Sequence, residues 1–242
     1  MKKVFFLLSL WIIFTSSVSA VEIKIAVASN FTPILKKIAK LYEAKTKNSV
    51  KLTSGSSGKL YSMITNGAPF DIFLSADTVK TSRLISTGKA LEASRFVYAR
   101  GSLVAWSNKT EAIGIEGLVE EAKSIAIANP KHAPYGIAAK QFLRAKKIYK
   151  KKNIVVAENA SQAYSFVNTK NVDIGFVPLS LLLQSKINPK EYWIIPKSFY
   201  SPIKQEMVII AKSQKLKVCQ QFLSFIQESK IQKLIEMSGY NK

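Results

Sequence analysis

Apolar positions along the chain recur with two different periods, and the switches between them divide the sequence into short strands and longer helices. Runs rich in β-branched and aromatic residues predict strands over 22–29, 49–54, 72–76, 96–106, 124–128, 154–158, 174–177, 192–195 and 206–211. Between them the spacing turns helical. Ile34, Leu35, Ile38, Leu41 and Tyr42 share one face of a helix over 33–45, with Pro33 in its first turn and Thr32 as its cap. A second helix starts near Gly58, turns Leu60, Met63 and Ile64 inward, and stops at Gly67 before Pro69. Others are predicted over 80–87, 136–147 and 161–168. A long C-terminal helix over 216–237 carries Phe222, Phe225, Ile226, Ile231 and Ile235. Regular alternation of strand and helix predicts an α/β protein whose sheets are mixed but mainly parallel.

Nine strands are many for one small sheet. The run 96–106 and the late strand 206–211 lie where the pattern changes between halves of the chain, so both read as crossovers. Two lobes follow from this: residues 21–101 plus 206–242 build the first, residues 102–205 the second. Two strands then act as a hinge, with a cleft between the lobes.

The first twenty residues stand apart. Lys2 and Lys3 precede the apolar stretch 4–14, and Val18-Ser19-Ala20 offers small residues for cleavage, so segment 1–20 reads as a secretory signal peptide. No later segment approaches the roughly 20 apolar residues that a membrane-spanning helix needs. A soluble, exported, periplasmic protein is expected. With Cys219 as its one cysteine, the chain forms no internal disulfide and must rest on its hydrophobic core, in which Cys219 is itself expected as a small buried apolar residue.

Lys and Arg number 36 against 15 Asp and Glu, a net charge of +21, two units of which belong to Lys2 and Lys3. So basic a chain raises the possibility of nucleic-acid binding. The lysines, however, are spread along the sequence, with one denser run over 140–152, and are not interleaved with aromatics. Solvated faces that attract small anions fit this better, and no nucleic-acid partner is expected. A basic envelope protein that binds polyanions is the alternative, marked by steep salt dependence.

Catalytic constellations are scarce. His132 is the single histidine and is read as part of a Pro-rich turn rather than as a positioned base. No His, Cys, Asp or Glu cluster has metal-ligand spacing, so no metal or cofactor is expected. Gly55-Ser56-Ser57-Gly58-Lys59 falls short of a nucleophile elbow at Lys59, and of a phosphate-binding loop at Thr53 and Leu60. An exported serine hydrolase using Ser57 is kept as a second alternative.

What does recur is a strand end, a small or hydroxyl-bearing residue, and a helix start. It occurs at Ser29-Asn30, at Gly55-Ser56-Ser57-Gly58, at Tyr135-Gly136 and at Asn159-Ala160-Ser161. Each alone is an ordinary helix cap. Together, two from each lobe, they form an anion site from unpaired backbone N–H groups and helix dipoles. A site with donors and no carboxylate acceptor suits a fully deprotonated tetrahedral dianion, whereas hydrogen phosphate would leave its proton without a partner. Molybdate, tungstate and sulfate all qualify.

At these residues the sequence resembles the periplasmic molybdate-binding ModA family of molybdate ABC transporters. The resemblance lies in five ordered segments: Ala26-Val27-Ala28-Ser29-Asn30-Phe31-Thr32; Ser54-Gly55-Ser56-Ser57-Gly58-Lys59-Leu60; residues 67–77; Asn129-Pro130-Lys131-His132-Ala133-Pro134-Tyr135-Gly136; and Gly175-Phe176-Val177-Pro178-Leu179-Ser180. It implies a two-lobed type II periplasmic-binding-protein fold and a non-enzymatic, monomeric receptor that delivers molybdate or tungstate to an inner-membrane permease. It implies that Ser29 and Ser57 donate hydroxyls, that Asn30 assists by backbone or side chain, and that the N–H groups of Tyr135 and Ala160 complete the shell. The metal is thus held as its oxyanion, with no direct ligands. Many members place a tyrosine near the position of Pro178, and proline offers no donor there. Asp71 and Asp77 are read as structural, because a carboxylate beside the site would repel the dianion.

Overall fold

The computed structural model describes residues 20–108, 117, 119 and 121–241. The expected signal segment, Ala20 excepted, lies outside the described residues. Two five-stranded sheets form the frame, in the orders β2-β1-β3-β10-β4 and β7-β6-β8-β5-β9. The first comprises β1 (Glu22–Ala28), β2 (Ser49–Gly55), β3 (Ile72–Ser75), β4 (Ala90–Gly101) and β10 (Ile203–Ile210). The second comprises β5 (Leu103–Trp106), β6 (Ser124–Ala128), β7 (Asn153–Ala157), β8 (Ile174–Pro178) and β9 (Tyr192–Ile194). In each sheet a single strand, β10 or β5, runs against the rest, so the sheets are mixed but mainly parallel. Both repeat the same order of strand exchange.

Helices cover both faces, which is why the central strands read as continuous apolar runs. In β1, Ile23, Ile25 and Val27 point into one core with α1 (Thr32–Thr46), α7 (Leu216–Gln227) and α8 (Ser229–Met237), while Ala26 faces the other side with Leu60 and Ile64 of α2 (Ser57–Thr65) and Leu84 of α3 (Val79–Ser86). In β6, Ile125 and Ile127 pack toward α4 (Pro134–Ala145), and Ala126 toward Ala163 and Val167 of α5 (Ala160–Asn168). A short α6 (Leu179–Gln184), not predicted, follows β8.

Three expectations change. The strand expected over 96–106 is two strands in different sheets, broken at Ser102, and it begins earlier, at Ala90. The returning crossover is complete by Ile203, so residues 203–205 pair in the first sheet rather than belonging to the second lobe. The C-terminal helix is two helices: at Glu228 the backbone is extended, with φ −56° and ψ 134°, and its carbonyl accepts from the N–H groups of Ile231 and Gln232 to begin α8.

Candidate functional site

Parallel strands that end together place their following loops side by side. Ala28 pairs with Gly55 at the carboxyl ends of β1 and β2, and Ala128 with Ala157 at those of β6 and β7. Ligands in open α/β sheets lie in the crevice beyond such strand ends. Here the two crevices face each other across the hinge and enclose a cavity of about 10 Å³ lined by Ala28, Ser29, Asn30, Gly55, Ser56, Ser57, Ala76, Ala133, Pro134, Tyr135 and Ala160.

The lining brings four helix starts together, two from each lobe. A 3₁₀ turn over Ser29–Phe31 leads into α1, and Ser57 opens α2. From the second lobe, Pro134 and Tyr135 open α4, and Ala160 opens α5. Pro134 at the first helical position has no N–H to lose, which leaves the Tyr135 N–H as the first donor of that helix. Caps hold two of the starts: Ser56 Oγ accepts from Lys59 N–H at 3.4 Å, and Asn159 Oδ1 from Gln162 N–H at 3.1 Å. Among the described residues no charged side chain lines the cavity.

The hydroxyls are set up as donors. Ser57 Oγ accepts the Ala76 N–H at 2.9 Å, so its own proton is free to point inward. Ser29 Oγ accepts the Ser161 N–H at 3.4 Å, across the cleft. Asn30 is different: its Nδ2 is spent on Gln205 Oε1 at 2.8 Å and Tyr240 Oη at 3.1 Å, so of the two roles weighed for it only the backbone is left to face the cavity. The Tyr135 ring also points away, toward Gln205, and burial pushes its phenol pKa well above the ordinary value. Pro178 does not line the cavity. It ends β8 opposite Leu103 and caps α6, two residues ahead of Ser180, whose hydroxyl bonds Tyr240.

Asp71 and Asp77 are committed to scaffolding. Asp71 accepts from Lys24 N–H, Ser213 Oγ and Lys215 Nζ, and Asp77 caps α3 through Lys80 N–H while pairing with Lys80 Nζ at 2.6 Å. Ala76, Gln205 and Tyr240 were not among the expected site residues. Ala76 lacks any polar side chain, and the other two reach the site from late in the chain, which no local spacing reveals.

The lobes touch directly around the cavity. Gly58 N–H donates to His132 O at 2.8 Å, Ser161 Oγ donates to Ser29 O at 3.1 Å, and Lys59 pairs with Glu158 at 2.6 Å. A Cβ at Gly58 would stand 2.8 Å from His132 Cα, so only glycine allows this approach. His132 thus acts through its backbone.

The sequence from residue 23 to 241 matches the family described as bacterial extracellular solute-binding protein. The molybdate-binding protein ModA of Azotobacter vinelandii is 37% identical over 227 residues, covering 91% of this chain and 90% of the relative. This chain belongs to the ModA family of bacterial extracellular solute-binding proteins. The ModA protein of Rhodobacter capsulatus is 35% identical over 226 residues, with 92% and 89% covered. A solved structure of the Azotobacter vinelandii periplasmic molybdate-binding protein superposes with a TM-score of 0.87 at 35% identity, covering 91% of this chain and 99% of that one. The shared frame therefore extends across about nine-tenths of this chain, 91%. Among the described residues no helix is long and apolar enough to cross a membrane.

Proposed function

We propose that this protein captures molybdate, and with it tungstate, in the interlobe cavity, and delivers it from the periplasm to the permease of an ABC transporter. One observation carries the reading: four helix starts and two serine hydroxyls converge on a space that, among the described residues, no charged side chain lines. Backbone donors and dipoles stabilise a dianion without a counter-charge, and the lack of a carboxylate acceptor in the described lining disfavours a protonated one. The ModA relatives, which bear the name molybdate-binding, support the choice of ion over sulfate. Binding rather than hydrolysis is supported by Ser57, whose Oγ receives a backbone N–H instead of facing a base.

The two lobes meet directly around the cavity. A tetrahedral oxyanion enters as the lobes swing apart at Ser102 and the chain before Ile203, and closure re-forms the contacts of Gly58, Ser161 and Lys59 around it. The protein acts as a monomer that needs no cofactor, its two lobes presenting a closed surface to the permease.

Thermal unfolding in the presence of each anion tests this. Molybdate and tungstate at 100 times Kd are expected to stabilise the fold by about 2.7 kcal/mol, with little effect from phosphate. Stabilisation by sulfate alone would reassign the ion.

A further inference from the structure

Gln205 lies fully buried on β10, opposite Ala99 of β4, on the strand by which the chain returns from the second lobe. Its amide touches both walls of the cavity indirectly. Gln205 Oε1 accepts from Asn30 Nδ2 at 2.8 Å and from Tyr98 Oη at 3.2 Å, and Nε2 donates to Tyr135 Oη at 3.3 Å. Asn30 belongs to the 3₁₀ turn of the first lobe, and Tyr135 to the helix start of the second. Both line the cavity.

Asn30 donates to Gln205 and Tyr240, so in this arrangement the carbonyl end of Gln205 faces Asn30 and its amino end faces the Tyr135 phenol. Gly101 makes room for the connection: a Cβ there would fall 2.0 Å from Tyr135 Oη and 3.2 Å from Gln205 Nε2. A second-lobe side chain thus passes over a hinge strand where only glycine leaves space, and ends on a hinge-strand glutamine that also holds the first-lobe wall.

We propose that Gln205 is a positioning residue that sets the spacing between the two walls of the anion cavity when the lobes close, and so contributes to discrimination by anion size. The inference rests on the oxyanion-binding reading. In the closed state one rigid amide connects Asn30 to Tyr135, so the backbone donors that follow from these residues keep a fixed separation. Replacing the amide by an apolar side chain of similar size frees Tyr135 from the first lobe and leaves Asn30 Nδ2 with Tyr240 alone.

The test uses the purified protein with molybdate, and sulfate as competitor, in wild type, Gln205→Leu, Tyr135→Phe and the double variant. Loss of one or two buried hydrogen bonds should raise the molybdate Kd by about tenfold in Gln205→Leu and about threefold in Tyr135→Phe. Sulfate should displace molybdate more readily from both. The double variant should bind no worse than Gln205→Leu, because Tyr135 acts through the amide. A lowered melting temperature with an unchanged Kd and unchanged competition in the folded protein overturns the role, as do additive losses in the double variant. Should Gln205→Leu fail to fold, Tyr135→Phe decides alone, and wild-type behaviour there overturns the proposal. A wild-type protein that binds neither anion overturns the oxyanion reading together with this role, whereas wild-type binding with unaffected variants overturns this role alone.

Discussion

Ser57 carries two duties at once. Its Oγ satisfies the buried Ala76 N–H at 2.9 Å, and its proton is left for the cavity. Ser57→Ala should therefore lower molybdate affinity by about 10- to 100-fold, since a hydrogen bond to a charged partner contributes about 1.5–3 kcal/mol, and should also cost about 1 kcal/mol or more of stability by orphaning that N–H. Isothermal titration and thermal unfolding of the same sample separate the two effects, and an unchanged affinity would remove Ser57 from the site. Cys219 makes a different prediction. Burial pushes its thiol pKa from 9.0 up to about 11, beside Ser213. The folded state then favours the protonated thiol, so its contribution is fully present below about pH 9 and fades as pH rises toward 11. Unfolding measured across that window should show a steeper alkaline loss in wild type than in Cys219→Ala, and parallel curves would contradict the assignment.

At the scale of elements, the helix starts are where fold and function meet. Asn159 caps α5 beside Ala160. Asn159→Ala should cost about 1 kcal/mol of stability, whereas Asn159→Asp should keep the cap yet weaken anion binding by placing a carboxylate close to the cavity. Equal affinity in the aspartate variant would argue that this helix end does not face the ligand. The four helix starts were legible in the sequence because strand end, small polar residue and amphipathic run are all local signals, and Ser29, Ser57, Tyr135 and Ala160 do meet at one cavity. The break at Ser102 was not legible, because β4 and β5 share one β pattern and only the change of sheet separates them. The break at Glu228 was hidden similarly: apolar spacing continues from Phe225 and Ile226 to Ile231 and Ile235, and all four are buried. For Asn30 both backbone and side chain were open from the sequence, because the partners that claim its side chain, Gln205 and Tyr240, stand 175 and 210 residues away. No window on the sequence spans that.

For the whole molecule, the proposed function turns on closure of the two lobes. Lys59 and Glu158 bridge the lobes while both remain exposed, so their pair contributes at most about 1 kcal/mol, and Lys59→Ala should speed ligand release less than about fivefold. Gly58→Ala should do far more, because a methyl group 2.8 Å from the His132 backbone keeps the lobes from meeting. Small-angle scattering with molybdate present should find that variant more extended than wild type, and identical profiles would count against closure at this contact. The basic surface acts at longer range. Lys36, Lys37, Lys40 and Lys51 line an open groove of about 970 Å³ that Ser161, itself bonded to Ser29, also lines. Their field should accelerate anion capture and lose effect as salt rises.

The most direct measurement is calorimetric titration of the purified protein with molybdate, alongside a Ser29→Ala, Ser57→Ala double variant. Tight binding by wild type, lost in a variant that still folds, is the predicted result. No heat with molybdate while another anion binds, or full binding by the double variant, would contradict the assignment of ion or of site respectively.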